Sequence, residues 1–403
     1  MMKILQVNCV YSKGSTGKIT YDLHHGLLEK NFESIVCYGR GKRINDDKVY
    51  KTCGEIYSKV NNVLSRITGL MYGECHFSTN KLIKIIRREN PDIVHLQCIN
   101  GYFVNIYRLI AFLKANNIRT IVTLHAEFMY TANCGHAYDC EKWKNGCGNC
   151  PRWRKETKSI LIDNTALSWK KMQKAFLGSE DTFLIVSVSP WLSERAKQSP
   201  MLSEHRHEVV FNGIDETVFK PNINEKLIYK HDLPGKKVIL HVTARFADKN
   251  KGGEYVLKLS ERLGDDFRIL LIGKDLPEQG SVPENVICVG RIEDSKLLAE
   301  YYSLSDVTVI TSKRETFSMV CAESLCCDTP VVGFYAGAPE QISLSQYSSF
   351  SQYGDLLQLE KNIRKWSERK KDGDCAKLAC SLYGRQQMIA RYLNLYEDLC
   401  GRM

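Results

Sequence analysis

Two glutamates in the second half of the chain are of the type and spacing that could bind a polyhydroxylated ligand. Glu315 and Glu323 lie eight positions apart, with small and apolar residues between them, soon after a strand-like run that ends at Ile310. If Thr316 caps a helix, Glu315 lies in the loop before the helix and Glu323 about two turns along it. Carboxylates held apart in this way could each bind a diol. An isolated pair of this kind is also compatible with two solvated side chains.

A glycine-rich run near the N-terminus could approach a phosphate. Gly14-Ser-Thr-Gly-Lys18 resembles a P-loop but fails its two requirements, because Ser12 stands where the first glycine belongs and Ile19 where a hydroxyl must follow the lysine. What remains is a flexible turn before a helix, whose backbone amides at Gly14 and Gly17 can face a phosphate. A simple tight turn is the alternative.

Four of the sixteen cysteines lie within seventeen residues, and we call residues 134–150 the cysteine segment. They are spaced C-x5-C-x6-C-x2-C: Cys134, Cys140, Cys147 and Cys150. Four thiolates are a common ligand set for structural Zn²⁺, so we predict one such ion, with His125 or His136 able to replace one thiolate. Reduced cysteines in a loop are the alternative.

Strand-like and helix-like patterns alternate along the chain. The first series has strands at 3–8, 34–38, 93–96 and 119–124 and helices at 79–89 and 103–115; the second has strands at 238–242, 268–272, 286–289, 307–310 and 331–334 and helices at 254–263 and 295–304. This alternation predicts an α/β protein with two Rossmann-like parallel-sheet domains facing a cleft that binds the ligand. We place the domains at 1–215, with an insert near 125–153, and at 216–380, and we expect a C-terminal helix at 381–403 to pack back toward the first domain.

Composition sets broad limits. The chain has 403 residues, 43% of them hydrophobic and 25% charged, with a formal net charge of +10. These values exclude a disordered or collagen-like chain, and the length favours two domains. Because no apolar run approaches the ~20 residues of a membrane-spanning helix and the start lacks a signal-peptide pattern, we expect a cytoplasmic protein with reduced cysteines.

Several motifs in a fixed order resemble those of glycosyltransferase family 4, whose retaining enzymes have the two-domain GT-B fold. They are Gly14 to Gly17, Asn212-Gly-Ile-Asp215, Arg245 with Lys251-Gly252, Glu315 with Glu323, Asp328-Thr-Pro-Val-Val332 and Gly337-Ala-Pro-Glu340. The resemblance covers nearly the whole chain. It implies transfer of a hexose from a nucleotide-diphosphate sugar, with UDP favoured and GDP as the alternative, without a metal ion in catalysis.

The resemblance also implies roles for individual residues of the second domain. Arg245 and Lys251 would hold the diphosphate, where positive charge stabilises the leaving group. Glu315 would bind hydroxyls of the reacting sugar, and Glu323 the ribose diol. Phe317 and Ser318 would belong to the same donor site.

In the first domain, the resemblance implies that Gly14 and Gly17 complete the phosphate site and that His125 lies near the donor sugar, although a structural role for His125 remains open. The chain departs from the family pattern at three places. Ala244 precedes Arg245 where glycine is common, Lys249 competes with Lys251 because the spacing is one residue longer, and Ala126 with Glu127 follows His125 in place of an aspartate.

The implied acceptor is a growing, lipid-linked cell-surface glycan, as in capsule or O-antigen synthesis. Two basic amphipathic stretches, 81–88 and 169–174, could touch an anionic membrane at the inner face of the plasma membrane, or they could be solvated helix faces. A nucleotide-sugar epimerase of the same fold is the alternative function. A nucleic-acid-binding zinc protein would account for the charge and the cysteines but not for the α/β pattern, so we expect no nucleic-acid partner.

Overall fold

The computed structural model describes residues 1–401. Contacts divide the chain into two compact units, one formed by Met1–Phe211 with the residues from Met388 onward, the other by Asn212–Gln387. Each unit contains one parallel sheet. The predicted α/β class with two Rossmann-like parallel sheets is therefore confirmed.

Within residues 1–401, the first unit contains seven strands, all parallel. They are β1 (Lys3–Asn8), β2 (Glu33–Tyr38), β3 (Val49–Lys51), β4 (Ile93–Leu96), β5 (Thr120–Leu124), β6 (Phe183–Ser187) and β7 (Arg206–Val209). The helices are α1 (Gly14–Glu29), α2 (Glu55–Thr68), α3 (His76–Glu89), α4 (Ile106–Ala115), α5 (Phe128–Thr131), α6 (Trp153–Glu156), α7 (Thr165–Phe176) and α8 (Pro190–Ala196). The sheet order is β3-β2-β1-β4-β5-β6-β7. Strands β1, β2, β4, β5 and β6 are almost wholly buried, as expected for a parallel sheet covered on both faces.

The second unit contains six strands, also all parallel. Its helices and strands are α9 (Glu225–Lys230), β8 (Lys237–Arg245), α10 (Gly253–Leu263), β9 (Phe267–Lys274), β10 (Val286–Gly290), α11 (Ser295–Leu304), β11 (Val307–Ile310), α12 (Met319–Cys326), β12 (Val331–Phe334), α13 (Pro339–Ile342), β13 (Ser348–Ser351), α14 (Leu356–Ser367) and α15 (Asp374–Tyr383). The sheet order is β10-β9-β8-β11-β12-β13. Its core is built from inward side chains of β8, β9, β11 and β12 with apolar residues of α10 and α14.

The last helix, α16 (Arg385–Gly401), packs in the core of the first unit. A Cβ at Gly26 of α1 would lie 2.4 Å from Cδ1 of Ile389, so glycine permits this close approach. The buried imidazole of His95 is hydrogen-bonded to the hydroxyls of Tyr396 and Thr123, both at 2.7 Å, and this joins α16 to β4 and β5. Residues 402 and 403 of the predicted C-terminal segment lie outside the described residues.

In each sheet the chain reverses its direction of winding at one place. In the first sheet this switch lies between β1 and β4, and in the second between β8 and β11. Open parallel sheets bind ligands beyond the carboxyl ends of the strands at such a switch. The residues that follow β8 and β11 are therefore the first place to look for a site in the second unit, and those that follow β1 and β4 in the first.

Candidate active site

A cavity of about 410 Å³ opens at the carboxyl ends of β8 and β9. Its walls combine apolar side chains with three cations: Arg245, Lys274 and Arg291. Arg245 is the last residue of β8, beyond an irregularity in the β8–β9 pairing, and its Nε donates to Oδ2 of Asp275 at 2.8 Å. Its side chain is 70% exposed, so the cation remains accessible to a ligand. An apolar pocket with converging cations suits a ligand that carries both an aromatic ring and phosphates.

Lys251 lies in a short turn beside the same edge. The turn, Lys249–Lys251, is a single 3₁₀ segment capped by Asp248, whose Oδ1 accepts from the amide of Asn250 at 2.9 Å. The Lys251 ammonium donates to Oε1 of Glu315 at 2.6 Å. Both partners are partly exposed. The structure thus brings together two of the predicted site residues, from the ends of β8 and β11.

A short loop after β12 holds the backbone of Glu315. The Glu315 amide donates to the carbonyl of Ala336 at 2.9 Å, and the Ala338 amide donates to the carbonyl of Glu315 at 3.2 Å. The carboxylate of Glu340 accepts from the amides of Ala336 and Gly337, at 3.0 and 2.8 Å. Glu340 therefore fixes the loop that positions Glu315.

The helix that carries Glu323 begins later than predicted. Ser318, not Thr316, caps α12, and its Oγ accepts from the amide of Cys321 at 3.3 Å. Glu323 is the fifth residue of the helix, so it lies a little more than one turn along it. Ser318 has φ +81°, a left-handed conformation that costs a non-glycine residue about 1–3 kcal/mol and is most common at functional sites. The neighbouring Phe317 is buried.

Glu323 accepts a hydrogen bond from the buried hydroxyl of Tyr302, with Oε2 at 3.1 Å. Burial raises the pKa of Tyr302 well above its usual value, and the adjacent carboxylate raises it further. The phenol therefore stays protonated and keeps the Glu323 carboxylate in one orientation.

In the first unit, Gly14 and Gly17 lie in the first turn of α1 rather than in a flexible turn before it. Asn8, the last residue of β1, donates from Nδ2 to the carbonyls of Val10 and Thr16, at 2.8 and 3.1 Å, which fixes the connection between strand and helix. The first four amides of a helix have no partner within the helix. Helix α1 therefore presents the predicted glycines at an end that favours anions.

His125 directly follows β5, and its Nε2 is hydrogen-bonded to Oε1 of Gln97 at 2.8 Å. Since an amide oxygen only accepts, the proton lies on Nε2. Burial lowers the pKa of His125 to about 4, so the ring is neutral near pH 7. Both residues line a cavity of about 20 Å³, enough for one water molecule. His125 can thus act as a neutral hydrogen-bonding group.

The zinc ion predicted for the cysteine segment stays a prediction. Among residues 1–401, no group of three or more His, Cys, Asp or Glu side chains is placed to hold a metal ion. Burial, together with the neighbouring Cys140 and Cys150 thiols, raises the pKa of the Cys147 thiol to about 11. The Cys147 thiol donates to the carbonyl of Thr131 at 3.8 Å. The four thiols lie near enough to raise one another's pKa, and metal analysis of the protein tests whether they bind an ion.

A buried carboxylate organises the same part of the chain. Glu127 is fully buried and accepts from the hydroxyl of Tyr130 at 2.6 Å, the amide of Ala137 at 2.7 Å and Nε of Arg195 at 2.7 Å. These bonds join the start of the cysteine segment to α8. Glu127 thus has a structural role, as a buried carboxylate with three hydrogen-bond donors, and this role was not predicted from the sequence.

Comparisons with known proteins assign the chain to a family. Residues 16–218 match the family model described as Glycosyltransferase Family 4, and residues 223–377 the one described as Glycosyl transferases group 1. The chain belongs to glycosyltransferase family 4. It is a retaining hexosyltransferase with the GT-B fold, which decides between the predicted transferase and the epimerase alternative.

Two curated relatives are distant in sequence but match nearly the whole chain. The putative colanic acid biosynthesis glycosyl transferase WcaC of Escherichia coli is 23% identical over 99% of this chain and 100% of its own length. The N-acetyl-alpha-D-glucosaminyl L-malate synthase of Bacillus anthracis is 20% identical over 98% of this chain and 96% of its own.

Solved structures share the fold. Sucrose-phosphate synthase from Thermosynechococcus elongatus aligns over the full length of both chains with a TM-score of 0.71 at 15% identity. Anabaena HepE in complex with UDP-glucose aligns over 98% of this chain and 100% of its own, with a TM-score of 0.63 at 12% identity.

Sequence reasoning missed three residues that support the site: Asp275 beside Arg245, Tyr302 beside Glu323, and the positioning role of Glu340. Asp275 directly follows β9, so its place at the carboxyl edge could have been found from the strand alone. Tyr302 carried no signal, because its contact depends on how α11 packs against α12. Glu340 ends the motif Gly337-Ala-Pro-Glu340, but no role was predicted for it from the sequence.

Proposed function

We propose that this enzyme transfers a hexose from a UDP-sugar, or alternatively a GDP-sugar, to a growing lipid-linked cell-surface glycan. The observation that carries the proposal is the grouping of Arg245, Lys251 and Glu315 at the carboxyl edge of the second sheet, beside the cavity of about 410 Å³. Two permanent cations and a carboxylate at one edge match the needs of a sugar diphosphate.

The cations would act on the leaving group. As the bond between sugar and diphosphate breaks, negative charge builds up on the phosphate oxygens, and Arg245 and Lys251 would stabilise that charge. In the structure Lys251 is paired with Glu315 at 2.6 Å. A bound diphosphate would compete for the lysine and leave Glu315 to accept hydrogen bonds from sugar hydroxyls.

The carboxylate of Glu323 would accept from both hydroxyls of the ribose, with the Tyr302 hydroxyl holding it in place. Phe317 and Ser318, immediately before α12, would line the same donor site. In the first unit, the amides at Gly14 and Gly17 would complete phosphate binding, and neutral His125 would bind a sugar hydroxyl without adding charge. In the family's favoured route the acceptor attacks from the side that the diphosphate leaves, with a leaving phosphate oxygen taking the acceptor's proton.

The acceptor part of the proposal has separate support. The Escherichia coli relative is named for colanic acid biosynthesis, a polysaccharide pathway. Basic residues are exposed along two helices of the first unit: Lys81, Lys84, Arg87 and Arg88 of α3 and Lys170, Lys171 and Lys174 of α7. Such faces would favour an anionic membrane that carries the acceptor. None of the helices in residues 1–401 is long and apolar enough to span a bilayer, so we propose peripheral contact from the cytoplasmic side, where thiols stay reduced.

A screen of nucleotide sugars by thermal unfolding tests the donor. A UDP-sugar at 100 times its Kd should stabilise the protein by about 2.7 kcal/mol, whereas ADP-sugars should leave the unfolding temperature unchanged. Sugar transfer to a lipid-linked oligosaccharide, with retained anomeric configuration in the product, tests the reaction. Stabilisation by no UDP- or GDP-sugar at millimolar concentration would overturn the proposal.

A further inference from the structure

Helix α2 buries polar side chains and exposes apolar ones, which is the reverse of the usual pattern for a helix at a water-facing surface. The residues it buries are polar, namely Ser58, Asn61 and Ser65. The side chains it exposes on one face are apolar: Ile56, Val60, Val63, Leu64 and Ile67. Ile56 is 81% exposed. Their spacing of three and four residues places them in one stripe along the helix.

The buried polar residues show that this orientation is fixed by specific bonds. Asn61 Oδ1 accepts from the amide of Cys75 at 2.8 Å, and Ser65 Oγ donates to the carbonyl of Leu70 at 2.9 Å. Rotation of the helix to bury its apolar stripe would break both contacts. These bonds therefore hold the apolar side chains of the helix toward the outside of the protein.

Neighbouring segments extend the apolar stripe at both ends of α2. At its C-terminal end, Ile160 donates its amide to the carbonyl of Arg66 at 2.8 Å, which brings the exposed run Ile160-Leu-Ile162 beside the helix. At its N-terminal end, the hydroxyl of Tyr57 accepts from the amide of Phe77, whose side chain is 78% exposed. We call these nine apolar residues of α2, 160–162 and Phe77 the apolar face.

Positive charge accompanies the apolar face. Lys59 and Arg66 are exposed on α2, and Lys158 is exposed just before the 160–162 run. The sequence from 76 to 88, which forms most of α3, has four basic residues and no acidic one. The acidic residue of α2, Glu55, is already engaged with Arg40 and Lys51. An apolar stripe surrounded by cations is complementary to an anionic lipid surface.

The apolar face also lies near the acceptor-side cavity of the same unit. The loop that follows α2 contains Tyr72, whose ring meets that of Phe128 at 4.7 Å and 89°. Phe128 lines the cavity beside His125. A lipid-linked acceptor could therefore remain in the bilayer while its glycan extends toward His125.

We infer that the apolar face inserts into the interface of an anionic bilayer and holds the first unit on the membrane. This inference deepens the membrane part of the proposed function and rests on it. It differs from contact through basic helix faces alone, because insertion depends on the apolar side chains and persists in part when salt screens the charges.

Vesicle sedimentation tests the inference with the full-length enzyme. Wild type should bind vesicles of phosphatidylcholine and phosphatidylglycerol at low salt and bind pure phosphatidylcholine more weakly. The triple variant Ile56→Ser, Phe77→Ser, Leu161→Ser should bind the anionic vesicles on the order of 100-fold more weakly, from the loss of three inserted side chains. The charge variant Lys59→Gln, Lys84→Gln should bind about 30-fold more weakly at low salt and show a smaller salt dependence.

A matched triple variant in the second unit controls for the loss of exposed apolar surface. Ile223→Ser, Tyr229→Ser, Leu357→Ser removes side chains that are 62, 74 and 61% exposed and should bind vesicles like wild type. Thermal stabilisation by UDP-sugars, measured on every variant, separates this inference from the donor proposal, since the apolar face does not contribute to donor binding.

Each possible outcome of these experiments either supports or overturns the inference. Equal vesicle binding by wild type and the first triple variant, or failure of wild type to bind anionic vesicles at low salt, would overturn the inference. A dimer in solution that dissociates in that variant would assign the face to a second copy of the chain and would also overturn it. Loss of vesicle binding with donor stabilisation retained would support it.

Discussion

Replacing Gly252 by alanine tests how the Lys251 turn is held against the sheet. Gly252 has φ +68°, and a Cβ built there would lie 2.2 Å from the carbonyl oxygen of Thr311, just beyond β11. The obstacle is backbone, so it cannot rotate away as a side chain would. The turn is also joined to Thr311 by a 2.8 Å bond from its hydroxyl to the carbonyl of Lys251. Alanine must therefore displace the turn.

The size of the effect follows from these distances. Real Cβ contacts essentially never fall below 3.0 Å, so the turn must move by about 1 Å. That movement would stretch the bond from Lys251 Nζ to Glu315 Oε1, now 2.6 Å. Misplacing a binding group by 1 Å costs about 100-fold in turnover. The left-handed alanine itself adds about 1–2 kcal/mol of lost stability.

Gly235→Ala is the matched control. Gly235 has φ +74° but no heavy atom within 4 Å of the Cβ position, so the variant carries the left-handed cost without the clash. We expect both variants to be destabilised, Gly252→Ala more strongly because of the clash, and we expect loss of turnover with UDP-sugar only in Gly252→Ala. Turnover of Gly252→Ala within about threefold of Gly235→Ala would refute the account of the turn.

Three further predictions concern the donor site, the acid response and the cysteine segment. Tyr302→Phe removes the donor that holds Glu323 and should weaken UDP binding by about tenfold in calorimetry; an unchanged Kd would show that Tyr302 does not position Glu323 for the ligand. Burial lowers the pKa of His95 to about 3 from 6.5, so the unfolded chain takes up its proton first and stability falls as pH drops below 6.5. His95→Gln should reduce the slope of unfolding free energy against pH by up to about 1.4 kcal/mol per pH unit between pH 6.5 and 4, and an unchanged slope would contradict the buried neutral ring. If the cysteine segment binds the predicted zinc ion, chelator treatment should lower the Tm by more than about 5 °C, and an unchanged Tm would favour reduced cysteines without a metal.

Much of the fold could be predicted from the sequence because strand and helix patterns alternate along the chain. The predicted bounds of strands β4, β11 and β12 agree with the observed ones. Two edge strands, β3 and β7, carried little signal, since Arg206–Val209 is mostly charged and only partly buried. Strand β6 was not predicted although all five of its residues are buried, because the periodicity of a short apolar run does not distinguish a buried strand from a buried helix segment.

At the candidate site, local sequence rules did not predict the residue at which helix α12 begins. Thr316 and Ser318 are both suitable caps, but the backbone bonds of Glu315 to Ala336 and Ala338 hold the chain against the loop after β12, and the helix begins only after Ser318. Only tertiary packing decides this. The apolar stripe of α2 shows the same limit, since helical spacing of apolar residues ordinarily predicts a face turned toward the core.

The central claim is that Arg245 and Glu323 hold the nucleotide-sugar donor, and kcat/KM of the double variant Arg245→Ala, Glu323→Ala with a UDP-sugar tests it most directly. Each substitution removes one charge-assisted contact, worth about 30- to 1000-fold in rate. Arg245 is exposed and Glu323 partly exposed, so both substitutions should leave the fold intact. The account predicts that the folded double variant loses at least about 1000-fold in kcat/KM. A folded double variant with wild-type kcat/KM would contradict it.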